Sequence, residues 1–288
     1  EVYLAPAVAS PGEAELIASR YLNDNPGPHP EIRYLLGAAM ARLGRFDQAR
    51  QEWAAVIEAS PGYAPAYEAM GRLAEERPAD ANEPASHWFD LAVQRDPNSA
   101  GARIARAGFH ARQGRSAEAI ADLEAAESKD LSDYEVRIRL AQQWLQAGDL
   151  GRARAHLEAL AQTSPSELTL WQTWAELAMR TQSTETMGEV AAKGLDALGK
   201  GALEFMPVAG EMLVRSGQLD RASQCIAQMR AKEYLPAAAA FLEGLIWQQR
   251  DNPVRAVKSW QDAMSLGNKT PQIRLLLASA YTQLGDLQ

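Results

Sequence analysis

The chain has 288 residues, 47% of them hydrophobic and 23% charged, enough apolar material for a continuous core beneath a charged surface. A net charge of −8, with pI near 5.2, argues against a nucleic-acid partner, because a phosphate backbone needs a basic stripe to displace its counterions. No run approaches the roughly 18 apolar residues of a membrane-spanning helix, and Cys225 stands alone, so an internal disulfide and a multi-cysteine metal site are both excluded.

Residues 1–11 show neither the basic start nor the apolar stretch of a secretory leader. Ala14, Ala18, Tyr21 and Pro26 then describe one amphipathic helix without a partner before it, in an entry segment that ends at residue 29. From Pro30 onward, residues of the same kind recur. Rows begin near 30, 64, 100, 134, 168, 203, 237 and 271, and the eighth residue of every row is small: Gly37, Gly71, Ala107, Ala141, Ala175, Gly210, Gly244 and Ala278. Steps of 34 to 36 residues predict a stack of helical hairpins, none able to bury its apolar face alone.

In the first row, helix A is expected over residues 31–43, with the turn at Gly44, and helix B over 46–59 before the Pro61-Gly62 breaker pair. The turn glycine recurs as Gly114, Gly148, Gly217 and Gly285. Helix B repeats a small residue followed four positions later by a large apolar one, as in Ala49/Trp53, Ala85/Phe89, Ala153/Leu157 and Ala256/Trp260. Two rows depart from this pattern. The second has two extra residues within 77–84, which predicts a longer loop there. In the fifth, Gln182 replaces the turn glycine, and Gly188 and Gly194 interrupt helix B at a cost of about 1 kcal/mol each. A weak seam, a hinge or a worn repeat, is expected across 182–202. The last row ends after one helix, which would leave Leu276, Leu277 and Tyr281 partly open; a fragment of a longer protein is the expectation.

On these residues the chain resembles the tetratricopeptide repeat family, with its W-x2-L-G-x2-Y, A-x3-F and A…P signature. The fourth row carries the likeness well through Leu140-Ala141, Trp144, Gly148, Ala153, Leu157 and Pro165. The resemblance covers nearly the whole chain, about seven and a half repeats. It implies an all-α fold over 1–288, a right-handed superhelical solenoid of antiparallel helix pairs whose inner wall is lined by the A helices. It also implies that the second, fifth, ninth, twelfth and thirteenth residues of helix A face a concave groove.

Chemistry is sparse. His29, His87, His110 and His156 form no cluster with ligand spacing, and no nucleophile elbow, phosphate loop or dinucleotide fingerprint is present. A non-enzyme without metal or cofactor is expected. The tryptophans at 53, 144, 171, 174, 247 and 260 fall on signature packing positions, with Trp88 beside core Phe89. His110 sits at the signature tyrosine and Cys225 beside core Ile226, so both read as packing residues.

The implied inner wall carries Tyr34, Ile104, Ile138, Phe241 and Leu275 at fifth positions, extended by Leu145, Met179 and Leu245. Arg42, Arg112, Arg180 and Arg215 occupy thirteenth positions. An apolar line edged by arginines suits an extended peptide or amphipathic helix with acidic character. The carboxylate clamp of chaperone-binding relatives is absent, since Tyr34, Ala38 and Arg72 stand where its residues would be. The expected function is a protein–protein interaction scaffold; by family analogy it belongs in a bacterial envelope or exopolysaccharide-export assembly, and the periplasm is favoured over the cytoplasm. Two alternatives stay open: a docking arm of a larger enzyme, and a scaffold self-associating end to end.

Overall fold

The computed structural model describes residues 10–285; the stretch read for a leader lies largely outside them, as do residues 286–288. Among the described residues the chain is all-α, with sixteen α-helices, two short 3-10 stretches and no strand. It forms two compact units, one ending at Ala147 and the other beginning at Gly148.

The first unit contains α1 (Pro11–Asp24), α2 (Pro30–Arg42), α3 (Phe46–Ala59), α4 (Ala64–Glu76), α5 (Ala85–Arg95), α6 (Ala100–Arg112), α7 (Ser116–Glu127) and α8 (Tyr134–Ala147). Ser10 and Glu13 close a capping box on α1. Hairpins pair α2 with α3, α4 with α5 and α6 with α7, while α6 also stacks directly on α4 to one side and α8 to the other. The extra residues of the second row form a 3-10 turn over Pro78–Asp80, where Arg77 bonds Asp80 at 2.7 Å and lies 4.4 Å over the Phe46 ring.

The second unit contains α9 (Leu150–Thr163), α10 (Leu168–Thr181), α11 (Thr184–Leu198), α12 (Met206–Arg215), α13 (Leu219–Ala231), α14 (Pro236–Gln249), α15 (Pro253–Ser265) and α16 (Pro271–Leu284). The sixth row's first helix begins at Met206, three residues later than the expected 203, because a 3-10 run over Gly199–Glu204 takes up its first turn. Buried Phe205 follows that run and fills the space beside Gly194.

The small eighth residues have a steric cause. A Cβ on Gly37 would stand 2.5 Å from the Trp53 indole, and one on Gly244 would stand 2.2 Å from that of Trp260. The space left open lets Trp53 Nε1 donate to the Tyr34 carbonyl (3.2 Å) and Trp260 Nε1 to the Phe241 carbonyl (3.3 Å), each three residues before the glycine. Where the eighth residue is alanine, as at Ala107 and Ala141, the buried residue sixteen positions on is the smaller Leu123 or Leu157. Side-chain volume is thus traded between the two helices of a hairpin, keeping the core close-packed.

The fifth row is tighter than its glycines imply. Gly188 and Gly194 are buried positions where a Cβ would meet Gln218 at 2.3 Å and Phe205 at 2.5 Å, so they are sites of close approach. Gln182 does take the left-handed conformation of the turn glycine, at φ +53°.

Candidate functional site

The first unit holds a cleft of about 580 Å³ between α4, α6 and α8, the first helices of three successive rows. Its floor is Ile104, Ala105 and Gly108 of α6; its walls carry Arg72, Glu75 and Glu76 from α4 and Arg139, Gln142 and Gln143 from α8. Gly108 sets the depth, since a Cβ there would come within 3.2 Å of the Gln143 amide and 3.3 Å of the Arg112 guanidinium.

A buried carboxylate organises one end. Glu68 is 6% exposed and is shared by Arg139 at 3.1 Å and Arg72 at 3.5 Å. Arg139 belongs to α8 and reaches across α6 to α4. The pair passes over Gly101, where a Cβ would lie in ordinary van der Waals contact with both the Glu68 carboxylate and the Arg139 guanidinium. Burial, followed by the charge on Glu68, raises the Tyr34 phenol above its usual range. Burial likewise pushes Tyr63, which meets Tyr34 edge to face, up to about 12. Both phenols stay protonated and can donate hydrogen bonds at neutral pH. At the other end, Arg112 grips Glu75 with two hydrogen bonds of 2.9 and 2.7 Å, which raise its pKa further.

The expected inner wall divides. Ile104, Ile138 and Leu145 are buried, and among them only Ile104 lines the cleft, as part of its floor. At Ile104 and Ile138 the fifth residue of the row is buried. Tyr34 and Met179 are half-buried; Phe241 and Leu245 pack against the cluster around Trp260, Ile273 and Leu277. Leu275 is 72% exposed. Leu276 and Tyr281 of α16 are half-buried and Leu277 is buried, while Leu275 and Leu284 are exposed.

The arginines were expected to grip a partner's carboxylates, and three of them already hold carboxylates of this chain. Arg112 pairs with Glu75, Arg180 with Glu176 at 2.7 Å and Arg215 with Glu211 at 2.6 Å. Arg42 ends α2, and it too takes part in an interaction within the chain. Of the cleft residues that were missed, Arg72, Gly108 and Gln142 are ninth residues of their rows, a position the sequence could have flagged, while Ala105, Arg139 and Gln143 fall at positions that carried no such signal.

The remaining candidates are structural. Trp53, Trp144, Trp171, Trp174 and Trp260 are buried, with Trp171 and Trp174 stacked at 5.5 Å. Trp247 is half-buried, packing against the cluster around Trp260 with Arg255 and Arg250 over its ring. Cys225 is buried, and burial raises its thiol pKa. Among the described residues no group of three or more His, Cys, Asp or Glu side chains could hold a metal ion. None of the described helices is long and apolar enough to cross a membrane.

His110 lies 3.8 Å from Asp122, a buried carboxylate that receives two 2.7 Å hydrogen bonds from Arg106. Arg106 also bonds Asp90 at 2.9 Å, tying α5, α6 and α7 together. Burial, then the charge of Arg115, lowers the His110 pKa.

Comparison with known proteins agrees with the repeat. A tetratricopeptide-repeat family model matches residues 11–65 and 110–167. Among solved structures, the chain is similar to a crystal structure of the APC/C hetero-tetramer Cut9-Hcn1, at TM-score 0.58 and 16% identity over 94% of this chain and 52% of that one. It is similar to a tetratricopeptide repeat protein from Parabacteroides merdae at TM-score 0.51 and 14% identity, over 88% of this chain and 99% of that one. It is also similar to yeast Tom70, at TM-score 0.54 and 14% identity over 96% of this chain and 59% of that one. The chain therefore spans between half and three-fifths of the Cut9-Hcn1 and Tom70 chains it matches. No curated protein sequence matches it significantly.

Proposed function

The chain belongs to the tetratricopeptide-repeat family, and on that premise we propose that it is a non-catalytic scaffold holding a segment of a partner protein in the cleft between α4, α6 and α8. Repeats of this family generally serve as protein–protein interaction scaffolds, and the family is generally non-catalytic. The observation that carries the reading is the cleft itself. It joins an apolar floor to a rim of guanidinium, carboxylate and amide groups, the mixture that fixes the orientation of a peptide while burying part of it. Its volume is that of a site for a few side chains, and its residues come from three rows, so the stacking of the repeats builds it.

A photo-crosslinking amino acid at Gln142 tests this in cells of the source organism. Specific cross-linked partners are expected, and Gly108→Leu, which fills the cleft floor, should abolish them while helical content is retained. Cross-links that persist in the folded Gly108→Leu protein would place binding elsewhere on the chain.

A further inference from the structure

Within the cleft, α4 presents Arg72 and Glu76 four residues apart, hence on one face and about 6 Å apart along the helix axis. Both are exposed. Residues of opposite charge at this spacing ordinarily pair with each other. These two do not. Arg72 turns to Glu68 at 3.5 Å, a long contact for a guanidinium, and Glu76 makes no ion pair among the described residues.

The surrounding charges keep the two apart in character. Glu68 is shared by Arg72 and Arg139, so one carboxylate serves two guanidiniums and that end of the cleft keeps an excess of positive charge. Around Glu76, Arg112 and Glu75 neutralise each other through their paired hydrogen bonds, so the excess there is negative. The cleft is bipolar along α4.

We propose that the segment bound in this cleft carries one acidic and one basic side chain about 6 Å apart, the acid against Arg72 and the base against Glu76. This rests on the cleft reading above and adds its specificity. The spacing corresponds to four residues in a helix or two in an extended strand. A uniformly acidic segment would meet Glu75 and Glu76, and a uniformly basic one would meet Arg72 and Arg139, so segments of one sign are rejected. Complementarity of this kind replaces the acidic partner expected from the sequence.

Selection of a library of random dodecapeptides displayed on phage against the whole chain tests the proposal, with Gly108→Leu and Glu76→Lys proteins selected in parallel. Peptides that depend on the open cleft should carry an acid and a base two or four residues apart. Reversing either charge in a synthetic copy should weaken binding by about fivefold. Selection against Glu76→Lys, an exposed and unpaired position whose change leaves the fold intact, should enrich peptides that have lost the base. Cleft-dependent peptides of one sign, or the same peptides enriched against Glu76→Lys, would overturn the bipolar specificity and leave the cleft reading standing. Enrichment indifferent to Gly108→Leu, or none, would overturn the cleft reading, and this proposal with it.

Discussion

The two units solve the same packing problem with different electrostatics. In the first, ion pairs between helices and between rows predominate over local ones such as Arg50–Asp47: Arg139 to Glu68, Arg112 to Glu75, Arg45 to Glu15, and Arg106 to both Asp90 and Asp122. In the second, many stay within one helical turn, as in Arg154–Glu158, Arg180–Glu176, Lys193–Glu189 and Arg215–Glu211. Arg112 and Arg180 occupy the same position of the repeat, yet Arg112 reaches back a whole row to Glu75 while Arg180 meets Glu176 of its own helix. The position of a charge in a repeat therefore tells which face it lies on and leaves open what it does. That depends on whether the row before offers a carboxylate within reach.

The largest expected effect tests that contrast directly. Asp122→Ala removes the buried anion that accepts two hydrogen bonds from Arg106, leaving that guanidinium with only the exposed Asp90, and should cost about 2 kcal/mol in urea unfolding. Glu176→Ala, which removes only an exposed pair within one helix, should cost less than about 0.5 kcal/mol. Equal losses would erase the distinction between the units.

A gain is expected from the fifth row. Gln182 holds φ +53° where Gly44, Gly114, Gly148 and Gly217 hold +73° to +85°. Gln182→Gly should stabilise the protein by about 1 kcal/mol, read as a raised unfolding midpoint. No change would mean that the left-handed turn costs nothing there. This turn and the 3-10 run after α11 lie in the stretch 182–202 where the weak seam is expected.

The smallest effect is a pH dependence confined to the first unit. Burial lowers the His110 pKa from its ordinary 6.5, so the unfolded chain binds this proton more readily than the folded one. The stability of neutral His110 is therefore present above 6.5 and lost as pH falls from there through the folded value. His110→Gln should flatten the stability profile below that pH. An unchanged profile would assign the acid sensitivity to other groups.

The sequence by itself determined the class of fold, the positions of most helices and the packing role of most aromatic residues. A period near 34 leaves a hairpin stack as the way to bury every apolar face, and the small eighth residue marks where the two helices touch. The tertiary structure alone decided the site. Whether Ile138 lines the cleft, as buried Ile104 does, or is taken up by packing depends on how the helices stack, and Ile138 is buried outside the cleft lining. Whether an arginine is free depends on a carboxylate that can lie up to 71 residues away, as Glu68 does from Arg139. Helical periodicity is local and survives in the order of the residues; charge pairing across rows is decided by distances that appear only once the rows are stacked.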